Sequence, residues 1–200
     1  MWRPVAERLP GRTVVTYDRR GTRRSGGDDW PGGGSAQHAD DAAGLLRALK
    51  IDAAVVFGAS AGGIVALQLA LRHPNRVHRA LIFEPGYFRW AAGTSDPDSR
   101  GAPAAPEGKE WYDRRTAENA EALIREDIHM TGESLNEPEF RGSNVDFRFA
   151  HGTQSRLIFH QIVTRLAALR GDPVDPLKDV GHLSYTDPNV VSAYILCHSG

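Results

Sequence analysis

One serine in this chain has the neighbours that a nucleophile needs. Residues 53–57 form an apolar run of strand length that reaches Gly58, and Gly58-Ala59-Ser60-Ala61-Gly62 fits the pattern G-x-S-x-G. In that pattern a sharp strand-to-helix turn lifts a serine hydroxyl clear of the sheet. The serine sits in a strained backbone conformation, so the residues two positions either side need to lack side chains that would clash with strand or helix. Residues 63–71 then read as a helix that stops at His73-Pro74. A buried strand before and a helix after distinguish this arrangement from an idle serine in a Gly-rich turn.

A hydroxyl is a poor nucleophile at its own pKa, so Ser60 needs a base within hydrogen-bond reach. The chain has eight histidines, at 38, 73, 78, 129, 151, 160, 182 and 198. His182 follows a glycine late in the chain, after a candidate strand. His151 is the runner-up, at a strand end beside Gly152.

The elements that must position these groups alternate. Residues 4–9 read as a short helix, with Pro4 near its first turn and Pro10-Gly11 after its end. Residues 13–17 are β-branched and aromatic, a strand by composition. Residues 18–34 are a polar loop, and residues 36–49 have apolar positions at helical spacing. Residues 76–83 are the next strand, closing on Glu84-Pro85. Residues 86–110 are rich in Gly, Pro, Ala and Asp without sustained period, the mark of a lid or binding loop, and residues 111–130 return to helical spacing. Residues 145–149 alternate as a strand, 157–169 form a helix stopped by Gly171 and Pro173, 172–180 are a proline-broken strand candidate, and 188–196 are the last helix. Strand alternating with helix predicts an α/β fold with a parallel sheet and helices on both faces.

Composition excludes several classes. A net charge of −1 points to neither nucleic acid nor an anionic membrane. Arg19, Arg20, Arg23 and Arg24 lack interleaved aromatics and read as a solvated loop. Cys197 alone makes no internal disulfide and fits a reducing cytoplasm. No apolar run approaches the roughly 20 residues that span a bilayer, and the first residues lack a signal peptide's apolar region. There is no G-x-x-x-x-G-K and no ligand-spaced His/Cys/carboxylate cluster, so neither nucleotide, cofactor nor metal is expected. The expected partner is a small-molecule substrate, in the cytoplasm.

The chain resembles the α/β-hydrolase superfamily, in its serine-nucleophile branch. The resemblance lies in Val14-Val15-Thr16-Tyr17-Asp18-Arg19-Arg20-Gly21, in Gln37-His38-Ala39-Asp40-Asp41, in the turn at Ser60 and in Gly181-His182-Leu183-Ser184-Tyr185. It implies one domain over residues 1–200, with a reduced lid inserted at about 86–140. Its order of serine, acid, histidine selects His182 as base. It usually places the acid after the strand at 145–149, in a pattern like G-x-x-D, where this chain has Gly152-Thr153-Gln154-Ser155. Serine cannot offset imidazolium charge, and replacing a triad aspartate by an amide costs roughly 10⁴ in rate. Some members carry the acid one strand earlier, which is the position of Glu84; Asp172 and Asp175 are the alternatives.

The resemblance also implies that the Ala61 N–H is an oxyanion donor. A second donor usually comes from an earlier loop, often marked His-Gly, and no such motif precedes residue 13. The family's sheet opens with three further strands, so the sequence reads as lacking its N-terminal strands, through fragmentation or a misassigned start. The leading expectation is therefore a carboxylesterase-like serine hydrolase working through an acyl-enzyme. The alternatives are an impaired relic or binding module, and a cofactor-free perhydrolase.

Overall fold

The computed structural model describes residues 2–22, 25–26, 34–91 and 128–199. Its sheet has four strands, all parallel, in the order β1 (Ala54–Ala59), β2 (Val77–Phe83), β3 (Asp146–Gly152) and β4 (Val174–Leu177). Helices precede or follow the strands: α1 (Arg3–Ala6), α2 (Gly34–Ala48), α3 (Ala61–Arg72), α4 (Phe88–Ala91), α5 (Ile128–Thr131), α6 (Glu137–Gly142), α7 (Leu157–Ala168) and α8 (Pro188–His198).

Strand periodicity explains the layering. Side chains alternate across a strand, so a strand covered on both faces is apolar throughout. Along β2, Ala80 and Ile82 join one core with Phe147 and Phe149 of β3, Ile64 and Leu67 of α3, and Ile162 and Leu166 of α7. Leu81 and Phe83 face the other way and pack with Ala150 and with Tyr194 of α8. Val191 of α8 packs on the same side against Val5 of α1 and against Leu9 just after it. Helices therefore cover both faces, as the alternation predicts.

Two segments depart from the sequence reading. Residues 13–17 form no strand; Val14, Val15 and Tyr17 are 37–38% exposed. β-Branched residues favour a pleated surface only where neighbours pack against it, and this stretch has no ladder partner among the described residues. Residues 172–180 shrink to the four residues of β4, because Pro176 removes a donor and confines the strand to an edge. Much of the expected lid, residues 92–127, lies outside the described residues, as does most of the helix expected at 111–130. Residues just after that stretch return to the body. Glu133 accepts from the Ser35 N–H at 2.9 Å and from the Ser35 hydroxyl, capping the start of α2.

Candidate active site

The carboxyl ends of three adjacent strands converge on one place, where open α/β sheets form their crevices. Ala59 pairs with Phe83 and Phe83 with Ala150, so the next residues out, Ser60 and Glu84, stand side by side above the sheet. The Ser60 N–H donates to the Phe83 carbonyl at 3.1 Å, and the Glu84 N–H to the Ala150 carbonyl at 3.1 Å. Both residues sit at positive φ, +54° and +44°. A side chain in that region costs of order 1–3 kcal/mol and persists only where its surroundings enforce it.

The turn at Ser60 has a steric reason that differs in part from the pattern's. A Cβ on Gly58 would lie 2.2 Å from the Gly62 carbonyl oxygen and 2.7 Å from Ala66 Cβ, so that glycine is obligatory. A Cβ on Gly62 would meet nothing within 4 Å. The second close approach falls instead at Gly63, whose Cβ would be 3.2 Å from Pro85. Pro85-Gly86 is tied to the same turn, because the Gly86 N–H donates to the Ser60 carbonyl at 3.3 Å. Ala61 opens the 12-residue α3, where N–H groups have no helical acceptor and the positive end of the helix dipole lies.

Glu84 is fully buried, and each carboxylate oxygen has a donor. Oε1 accepts from the Gly152 N–H at 2.7 Å, and Oε2 lies 2.6 Å from His182 Nδ1. An ionised carboxylate can only accept, so with Glu84 ionised the donor in this pair is Nδ1, which leaves the lone pair on Nε2. His182 is 8% exposed and starts a short 3₁₀ turn, His182–Thr186. The loop before it is stitched to the turn after β3: the Gln154 N–H donates to the Val180 carbonyl and the Thr153 N–H to the Leu177 carbonyl, each at 2.9 Å. Phe159 of α7 lies flat on the imidazole, with ring centroids 3.9 Å apart.

The structure thus brings Glu84 to His182, and strand register sets Glu84 beside the Ser60 turn; no hydrogen bond joins Ser60 to His182 among the described residues. It does not bring the other candidates there. His151 stacks on His160 at 4.1 Å, and both direct a ring nitrogen at the Gly152 carbonyl. Asp172 pairs with Arg170 at 2.7 Å, and Asp175 with His198 at 3.2 Å. Ser155, at the usual acid position, has a buried hydroxyl with no hydrogen-bond partner among the described residues. Sequence reasoning missed Gly152, whose N–H holds the carboxylate and whose Cβ would lie 2.0 Å from the Val180 carbonyl oxygen. The available signal was a glycine closing a strand next to the expected acid turn. It also missed Phe159, which no spacing marks.

A groove of about 410 Å³ lies at the opposite end of the strands, lined by Leu71, Val77, His78 and Val145 among others; it holds no member of this cluster. Among the described residues no His/Cys/carboxylate group is arranged to hold a metal, and no helix is long and apolar enough to cross a membrane.

The chain belongs to the α/β-hydrolase family, whose model for the alpha/beta hydrolase fold matches residues 1–177. Over 74 residues it is 45% identical to the uncharacterized hydrolase YraK of Bacillus subtilis, a match covering 36% of this chain and 27% of that protein. Over 82 residues it is 40% identical to the "putative carbamate hydrolase RutD" of Serratia proteamaculans, covering 40% of this chain and 31% of that protein. These matches span less than a third of the length of those two relatives. The crystal structure of E-2-(acetamidomethylene)succinate hydrolase is similar with a TM-score of 0.75 at 18% identity, over 98% of this chain and 85% of that one. At that identity the likeness concerns the fold.

Proposed function

We propose that the chain is a serine hydrolase acting on an ester-like or other acyl small molecule through Ser60, His182 and Glu84. The observation that carries this reading is the buried 2.6 Å contact of Glu84 with His182 Nδ1, next to a serine held at positive φ between strand and helix. His182 Nε2 takes the Ser60 proton as Oγ attacks the acyl carbon. The Ala61 N–H, at the start of α3, faces the negative charge that develops on the carbonyl oxygen. Collapse of the tetrahedral adduct passes the proton from His182 to the leaving group and leaves an acyl-serine. Water, deprotonated by His182, then releases the acid and restores Ser60. Glu84 stays ionised throughout and offsets the imidazolium charge. A carbamate, the substrate class in the printed name of one relative, has a carbonyl carbon of the same acyl type, which is consistent with this class of substrate.

Hydrolysis of a short-chain nitrophenyl ester by the 200-residue chain, with Ser60→Ala beside it, tests the reading. The expected result is turnover by the parent that disappears in the variant, with one equivalent of a phosphonate probe titrating the parent alone. Equal rates in two folded proteins would sink the assignment and favour a binding module without catalysis.

A further inference from the structure

Phe159 lies face to face with the imidazole of His182, centroids 3.9 Å apart and planes 10° apart. It is 3% exposed, in the first turn of α7, and its other flank meets the edge of Phe88 at 5.6 Å. Tyr185 closes a second side of the imidazole edge-on at 5.6 Å. Glu84 fixes Nδ1, but a single hydrogen bond leaves a ring free to rock about its own donor–acceptor axis. A flat apolar surface against one face removes that freedom, and so sets the direction in which Nε2 points.

The stacked ring has a second consequence. An aromatic face attracts a cation, most strongly where water is excluded, and the imidazole becomes a cation when it takes the serine proton. We propose that Phe159 is the positioning residue of this site, fixing the plane of the imidazole that Glu84 anchors and favouring its charged form through the π face. This deepens, and rests on, the assignment of His182 as the base. The other titratable groups around the imidazole are Glu84 from the end of β2 and Tyr185 from its own turn; His151 and His160 reach the Gly152 carbonyl from β3 and α7. None of them is altered by changing Phe159.

The test compares Phe159→Leu and Phe159→Tyr in the full chain. Two quantities are read: the midpoint of the His182 imidazole titration by NMR, and the pH profile of nitrophenyl-ester hydrolysis. Leucine keeps the site dry but lacks a π face, so its titration midpoint falls by about 0.5–1 pH unit. Its kcat drops about tenfold while KM stays within about twofold, as for a group acting on the transition state rather than on binding. Tyrosine restores both. Phe88→Leu, which loosens the far flank of Phe159 without touching the imidazole, leaves the midpoint where it was. A folded leucine variant with the parent's midpoint and kcat overturns the proposal, as does a tyrosine variant that behaves like leucine. If leucine does not fold, Phe159→Met supplies the same comparison. A parent chain without esterase activity overturns the proposed function instead, while the NMR midpoint, read without turnover, still decides the role of Phe159.

Discussion

Glu84 commits both carboxylate oxygens to one neighbourhood, Gly152 N–H on one side and His182 Nδ1 on the other. An amide in its place can still accept hydrogen bonds but cannot offset the imidazolium charge. Glu84→Gln is therefore expected to lower kcat by roughly 10³–10⁴ with KM little changed, measured by steady-state ester hydrolysis; a loss of less than about tenfold would reassign the acid. Gly152 couples that carboxylate to the histidine loop, since its α-carbon abuts the Val180 carbonyl two residues before His182. A methyl group there has no room, and backbone is what it meets. Gly152→Ala should cost about 2–4 kcal/mol, in the range of overpacked or strained sites, and abolish turnover even where the variant still folds. Urea titration and activity of the same preparation check both halves; an active variant of parental stability would show that the loop yields freely.

Asp40 of α2 links to the end of α3: its carboxylate takes a bidentate contact from Arg72, closest at 2.7 Å, and a 2.7 Å contact from His73, the residue just after the helix. The Arg72 hydrogen bond, ahead of His73, holds the Asp40 carboxyl below its ordinary range. A depressed carboxylate stabilises the fold above its unfolded pKa of about 3.9, and that contribution is lost as pH falls through the lower folded value. Asp40 is 46% exposed, so solvent screening keeps the effect small, and Asp40→Asn should cost no more than about 1 kcal/mol at neutral pH. The gap between parent and variant should narrow in urea titrations as pH falls below the ordinary carboxylate range; a gap that persists there would mean that packing, rather than charge, is what the substitution removes. Helices α2, α3, α7 and α8 and strands β1, β2 and β3 were legible because their apolar periods are clear and each of these helices starts or stops at a cap, glycine or proline that the sequence displays. The strand read at 13–17 and most of that at 172–180 were not there. Ser60, His182 and Glu84 could be named as candidates because each closes or follows a strand in the order that the family resemblance implies, although Glu84 needed the absence of an acid at Ser155 to be noticed. Phe159 was not legible. It is an apolar residue at an ordinary helical spacing, and only the fold of α7 against the 3₁₀ turn lays it on the imidazole.

At the scale of the molecule the sheet is asymmetric. β2 and β3 have partners on both sides, β4 is shortened by Pro176, and β1 pairs with β2 alone among the described residues. β1 is nonetheless apolar along its length, and Val55 is 36% exposed. A residue-level pattern read the run at 13–17 as one more strand; what it could not see is that a strand exists only by pairing, and this one has no ladder partner among the described residues, with its valines more than a third exposed. An apolar edge strand whose outer backbone groups have no strand partner among the described residues is a template for another chain, and natural sheets blunt such edges with lysine. The expected behaviour of this chain is therefore concentration-dependent association through β1. Val55→Lys, which places a charge at the exposed position without entering either core, should shift the sedimentation profile toward the monomer and leave ester hydrolysis unchanged, since Ser60 lies at the other end of the strand. An unchanged profile in the lysine variant would locate any association elsewhere, and a monomeric parent would mean that the β1 edge is not open to a second chain.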